Sequence, residues 1–350
     1  MLVLSLNAVI DLNTVSGPDR VLATTAIAMS AGYAAADVAV TGDARMGLIY
    51  DGDDIQLTSR ARVIFTMSGE TDTGLAFGAS FRGDQIGGAN GNTNMNAGTV
   101  FISGDFGKLS FGDVGSAARS AVGDLHGVGL TGLGFANEYP YLDRVYGDFQ
   151  ELFGITDADG DALFNYNTAA MYEYSIDALS IYASVGQFNT ARDAFFVGDK
   201  LTGTNAAIGA RYDFGDFGVS AGYEMTRFKY SFGGVSDSLK ADHLIVGVDA
   251  TFEGINVKAI YGRAGQDLGD ALKAGADTSR DQYGISMSAS FDAVGVSAFA
   301  HRDFFKTTNI GVGASYDLGG GARVVGGIRN ENPTGASSNT TADLGLAFSF

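Results

Sequence analysis

The sequence predicts an all-β protein: a 16-stranded antiparallel transmembrane β-barrel over residues 37–350, with one long loop folded inward. Three observations carry that reading. From Asp37 onward the apolar period is 2 rather than 3.6. Ala342, Leu344, Leu346, Phe348 and Phe350, for example, alternate with Asp343, Gly345, Ala347 and Ser349. The alternating runs reach about ten residues, the length of a membrane-crossing strand, against about five or six in soluble sheets. Aromatic residues sit near the ends of runs, at Tyr50, Tyr212, Phe214, Tyr223, Tyr316 and Phe348. The two interfacial girdles of a membrane barrel call for that placement.

Composition narrows the alternatives. The 350 residues include 51 Gly, no Cys and no Trp, and 45% are hydrophobic, too many for a disordered chain. Without Cys there are no disulfides, thiolate metal sites or Cys nucleophiles. The 40 acidic against 22 basic residues give a formal charge of −18, which excludes nucleic acid as a general partner. No window holds 18 strongly apolar residues, so a helical membrane protein is not expected.

Residues 1–36 read as a signal peptide. Arg20, the apolar run Val21 to Tyr33 and the small residues Ala34, Ala35 and Ala36 are its parts. The 19 residues before Arg20 lack the usual basic start, which points to an over-extended translation start. Removing Asp11, Asp19 and Arg20 with this leader leaves a charge of −17.

The expected strands follow in order. Five cover 38–50, 58–70, 74–84, 97–106 and 107–113. Eleven more cover 166–176, 177–186, 204–214, 216–228, 240–252, 253–263, 280–291, 292–304, 307–317, 320–330 and 341–350. Connections alternate between tight turns such as Gly215-Asp216 and longer stretches at 51–57, 85–96, 187–203, 229–239 and 264–279. Short turns on one rim and long loops on the other suit an outer-membrane barrel, and sixteen strands enclose water. Val114 to Asn165 has no sustained alternation. A loop of that length is functional where it occurs, and folding into the lumen would narrow it.

Parity also sorts the charges. Val38, Val40, Ala44, Met46 and Leu48 face lipid on the first strand, so Asp43 and Arg45 face inward. Ala61, Val63, Phe65 and Met67 place Arg60 and Arg62 inside, and Leu75, Phe77, Ala79 and Phe81 place Arg82 inside. A charge on the lipid face near the midplane would cost about 2–4 kcal/mol. The long loop carries the acidic residues Asp124, Glu138, Asp143, Asp148 and Glu151, which makes it the acidic partner of this basic wall. Asp157, Asp159 and Asp161 have the alternate spacing of a calcium loop, but Ala162 and Thr168 stand where that loop wants Gly and Glu. No cofactor is required by this reading, and calcium is the one ion it offers a place. His126, His243 and His301 have no partners at catalytic spacing, so no enzyme is expected.

Several stretches carry a family resemblance: Gly42-Asp-Ala-Arg-Met-Gly47, Thr58-Ser-Arg-Ala-Arg-Val63, Phe65-Thr-Met-Ser-Gly69 and Phe77-Gly-Ala-Ser-Phe81. Others are Gly123-Asp-Leu125, Tyr316-Asp-Leu-Gly-Gly-Gly321, Ala342-Asp-Leu-Gly345 and the terminal Phe350. With these the chain resembles the general porins of Gram-negative outer membranes, especially those of purple non-sulfur bacteria. The resemblance implies a homotrimer in outer-membrane lipid, passing small hydrophilic solutes and ions passively. It also implies that the third external loop, here Val114–Asn165, forms a constriction with acidic loop residues facing the basic wall. Two other functions compete. A substrate-selective porin would use Tyr139, Tyr141, Tyr146, Phe149 and Phe153 as an aromatic binding track. A soluble β-rich adhesin would need no membrane.

Overall fold

A computed structural model describes residues 37–83, 98–142, 164–166, 169–190, 200–232, 235–267, 269–270 and 278–350. Before the long loop the chain forms β1 (Asp37–Tyr50), β2 (Ile55–Glu70), β3 (Ala76–Arg82), β4 (Thr99–Gly104) and β5 (Gly107–Gly112). After it come β6 (Phe164–Tyr166), β7 (Ala169–Ile176), β8 (Leu179–Thr190), β9 (Lys200–Phe214), β10 (Phe217–Phe232) and β11 (Val235–Phe252). The last six are β12 (Ile255–Ala264), β13 (Asp281–Phe291), β14 (Val294–Arg302), β15 (Thr308–Gly319), β16 (Ala322–Asn332) and β17 (Asn339–Ser349). Each pairs antiparallel with its neighbours, and β1 pairs with both β2 and β17, so the sheet closes on itself. β6 and β7 both pair with β8 and together make one crossing. The described segments therefore form a closed barrel of sixteen strands, as the alternation predicts.

The expected strands are all present, with shifted ends. The largest shift concerns 229–239, read from sequence as a long connection: the β10–β11 ladder runs on to Phe232↔Val235. The short turns are as tight as expected. Glu253 and Gly254 both have positive φ, 48° and 82°, as the type I′ hairpin joining right-twisted strands needs.

Inside and outside are inverted relative to a soluble sheet. Leu57, Val100, Ile208, Val248, Ile285, Val312 and Leu344 are exposed on the outer face. Phe214, Phe217, Phe252 and Phe291 ring the short-turn side of that face, and Tyr223, Tyr261 and Tyr283 mark its other side. Tyr223 thus lies mid-ladder in β10, because the ladder outruns the apolar band.

The buried core lies in the lumen. Residues 114–142, with α1 (Ala117–Val122) and a 3-10 turn at Leu133–Phe135, supply Ala117, Ala118, Ala121, Val122, Leu125, Val128 and Leu133 to it. They pack on Met171, Ala207, Ile245, Ile260 and Phe299 of the wall. The hydrophobic effect here holds a loop to the inner wall rather than two layers to each other.

Candidate functional site

The lumen has two unlike faces. On β1–β3 the ladder sets Asp43 opposite Arg62, Arg45 opposite Arg60, and Ile64 opposite Arg82. Register alone therefore gathers four guanidinium groups into one patch. Arg60 Nη2 lies 2.6 Å from Asp43 Oδ1, and Arg45 Nη1 donates to the Leu130 carbonyl at 3.4 Å. Leu130 belongs to the inward segment, so Arg45 links the basic patch to it.

The other face, β8 to β17, holds the inward segment through side chains that meet its backbone. Ala117 N–H donates to Ser184 Oγ at 2.8 Å, His126 N–H to Ser286 Oγ at 3.0 Å, and Ser297 Oγ to the Gly127 carbonyl at 2.8 Å. Arg329 Nη1 donates to the Leu133 carbonyl at 2.9 Å. Two carboxylates take the largest share. Asp343 accepts Leu130 N–H at 2.8 Å, Thr131 N–H at 2.6 Å and the Thr131 hydroxyl at 2.7 Å. Glu224, fully buried, accepts the Ser116 hydroxyl at 2.9 Å and Leu142 N–H at 2.5 Å. His243 Nδ1 backs Glu224 at 3.2 Å, and its Nε2 meets the Gln282 amide at 3.0 Å. A loop backbone away from water needs such partners, and bonds to charged acceptors are the strong ones.

The described loop acids make their own network. Asp124 and Glu138 both pair with Arg119, the latter at 3.0 Å. Asp124 Oδ1 also accepts Tyr139 N–H at 2.9 Å. Tyr139 and Tyr141 are buried, their hydroxyls donating to the Ile260 and Gly123 carbonyls. Both are therefore braces of the segment rather than a surface along a passage. Asp143, Asp148 and Glu151, the trio Asp157, Asp159 and Asp161, and Tyr146, Phe149 and Phe153 lie outside the described residues.

Sequence reasoning left several of these residues unassigned. Glu224, Asp343 and Ser184 were in reach of parity as inward positions, but their partners were not. Lys258 is another: it is buried opposite Asp249, which itself takes Arg211 at 2.6 and 3.0 Å. These charges form a second inward cluster, on β9, β11 and β12.

Comparison with known proteins agrees with this geometry. The family profile described as Gram-negative porin matches residues 23–336. A porin of Rhodobacter capsulatus is 37% identical over 332 residues, 90% of this chain and 100% of that protein. A porin of Fuscovulum blasticum is 28% identical over 336 residues, again 90% and 100%. A solved porin structure superposes with a TM-score of 0.67 at 34% identity, covering 89% of this chain and 100% of the other. A variant of the Rh. blastica porin, at 22% identity and a TM-score of 0.55, shares the fold. With the closed barrel, the apolar outer band and the segment packed on the inner wall already in place, the chain belongs to the Gram-negative porins, and it is a passive diffusion channel of the outer membrane for small hydrophilic solutes.

Proposed function

We propose that this channel filters solutes in a gap between the arginine patch of β1–β3 and the inward segment. The observation that carries this is the asymmetry of the lumen: the segment is bonded along β8 to β17, whereas Arg60, Arg62 and Arg82 stand on the adjoining face. This reading assigns the acidic side of the gap to Asp124, Glu138, Asp143, Asp148 and Glu151, of which Asp124 and Glu138 pair with Arg119 within the segment. A transverse field between opposite charges favours small polar solutes over apolar ones.

With a mature charge of −17, the mouth attracts cations and the arginines oppose them locally. The expected result is a weak cation preference that fades toward 1 M salt, where the Debye length is about 3 Å. Planar-bilayer recordings in salt gradients test it, and an anion-selective reversal potential at low salt would refute it. A substrate-selective channel is less well supported, since Tyr139 and Tyr141 are used as braces.

A homotrimer is supported by the low wall at β4 and β5, six residues each. Six residues at about 3.3 Å rise, tilted about 45°, reach about 14 Å, short of the apolar band of about 25 Å. Small outward residues Ala44, Ala61 and Ala79 beside them would let a second barrel approach. A monomeric mass in mild detergent would count against it. Cleavage after Ala36 rests on the leader pattern of Arg20, the apolar run Val21 to Tyr33 and Ala34 to Ala36, and intact mass of the exported chain checks it. Calcium at Asp157, Asp159 and Asp161 would raise the unfolding temperature reversibly, with a chelator undoing the rise.

A further inference from the structure

We propose that a row of inward glycines around the wall fixes how deep the inward segment sits, and thereby sets the width of the gap and the largest solute it passes. This rests on the constriction reading above and adds its positioning residues. The row follows the segment strand by strand. A Cβ on Gly222 of β10 would lie 2.5 Å from Ala118 Cβ, and one on Gly247 of β11 would lie 2.9 Å from Val122 Cγ1. On Gly284 of β13 it would lie 2.5 Å from Leu125 Cδ1, and on Gly313 of β15, 3.0 Å from Val128 Cβ. On Gly327 of β16 it would lie 2.6 Å from the Gly129 nitrogen; on Gly345 of β17 it would meet the Met46 carbonyl and Gly47 of β1 first and Leu130 Cδ2 at 2.7 Å. Six of the eight strands from β10 to β17, all but β12 and β14, meet segment residues in chain order from 118 to 130, so the row is a track already filled by the chain itself.

Glycine inside a strand is costly, about 0.5–1 kcal/mol relative to Ala in backbone entropy alone. Its repetition along one path therefore has a packing reason: each missing Cβ lets the segment lie against the wall's backbone. The carboxylates of Glu224 and Asp343 hold the segment at residues 116, 130, 131 and 142. They set where it is tied, and the glycines set its depth.

The contact distances give the size of the effect. Ordinary carbon contacts lie at about 3.5–4.0 Å, so a methyl at Gly327 displaces the Gly129 backbone by about 1 Å toward the lumen. Gly284 differs, because the nearest atom is a side-chain methyl that can be removed.

The experiment compares Gly327→Ala, Gly284→Ala and the pair Gly284→Ala with Leu125→Ala in planar bilayers. Conductance and exclusion of neutral polyethylene glycols of graded size are read in each. Gly186→Ala serves as control, because its Cβ would meet only Ala169, at 3.6 Å, among the described residues. Expected are lower conductance and an exclusion limit smaller by about 1 Å in solute radius for the two single variants. Ion preference should not change, the double variant should return toward wild type, and the control should match it. The inference is overturned if Gly327→Ala conducts as wild type while Arg62→Ala alters the current. If Arg62→Ala is silent as well, the constriction reading has failed and this inference with it. Failure of Gly327→Ala to assemble moves the decision to the Gly284 pair: no narrowing in the single variant, or no recovery in the double, overturns the proposal.

Discussion

The two inner faces of this barrel are built by one rule and do opposite things. On β10, β11, β13, β15 and β17, alternate positions carry Gly, Ser, Glu and Asp, and the chain packs onto them. On β1–β3, the same alternation carries Arg45, Arg60, Arg62 and Arg82 in a single patch. Small residues and single carboxylates can be covered, because a peptide segment satisfies them with N–H groups and close contacts. Four neighbouring guanidinium groups are costly to bury together, because each charge taken from water must be paired. The gap proposed above therefore falls where charge is densest on the wall.

The first way to break this comparison is to exchange the faces of one strand. Val63 is exposed on the outer face of β2, and Arg62 beside it faces inward. Val63→Arg should cost about 2–4 kcal/mol near the midplane and strongly reduce assembled barrel. Arg62→Ala should assemble normally. Heat-stable barrel after refolding, resolved by electrophoresis, is the measurement. The reverse pattern would show that β2 has the wrong parity.

A smaller effect on barrel assembly is expected from releasing the packed face, because the strand ladder is not touched. Asp343→Ala leaves Leu130 N–H, Thr131 N–H and the Thr131 hydroxyl without their acceptor. Hydrogen bonds to charged groups contribute about 1.5–3 kcal/mol each, enough to free the segment while the ladder of β17 persists. The expected signature is a noisy current with rapid steps, and Asp343→Asn should lie between it and wild type. A steady trace from Asp343→Ala would mean the segment is held elsewhere.

These two cases also mark what the sequence made legible. The outer wall is written locally: Leu344, Leu346 and Phe348 alternate with their neighbours, and one look at β17 gives its lipid face. Arg60 and Arg62 follow by subtraction. Nothing local announces Asp343 or Glu224 as holders of the segment. Their partners lie 213 and 82 residues away and are backbone N–H groups, which every residue but proline owns. The extension of β10 and β11 was hidden for a different reason. Beyond the apolar band the outward parity of Val219 and Tyr223 falls on Lys229 and Ser231, and that of Leu244 and Val246 on Ser236 and Ser238, so the ladder continues without its lipid-face pattern.

The arginine face should respond more gently than the packed one. Arg60→Ala or Arg82→Ala removes one cation and one long side chain from the gap. Conductance should rise modestly and cation preference should increase. Unfolding should shift little, since partly solvated ion pairs such as Arg60–Asp43 contribute about 0–1 kcal/mol. Reversal potentials at low salt decide it: an unchanged preference in both variants would place these arginines away from the ion path. Changing Arg60 and Arg82 together should move the reversal potential further than either alone.

The smallest expected effect lies at the loop rim, where pH rather than a substitution separates two regions. Asp303 opens the turn 303–307 between β14 and β15, and its Oδ1 accepts Thr307 N–H at 2.9 Å. Burial pushes its carboxyl up to about 6, against the Thr307 and Phe305 N–H groups, which favour the charged form. Glu331 adds to the rise and Arg302 opposes it. The folded value therefore lies above that of a free Asp, about 3.9. The turn is tightest below the free value and loosens as pH rises through about 6, when a buried charge must form. The neighbouring loop should follow, because Ser279 N–H donates to the Phe304 carbonyl at 2.7 Å. Amide exchange at 303–307 and at Ser279, corrected for intrinsic rates, should show more protection at about pH 5 than at about pH 7.5. Asp303→Asn cannot ionise and should hold the more protected state at both. Equal protection in the native chain at the two pH values would mean that Asp303 is solvated, and that the rim has no titrating turn.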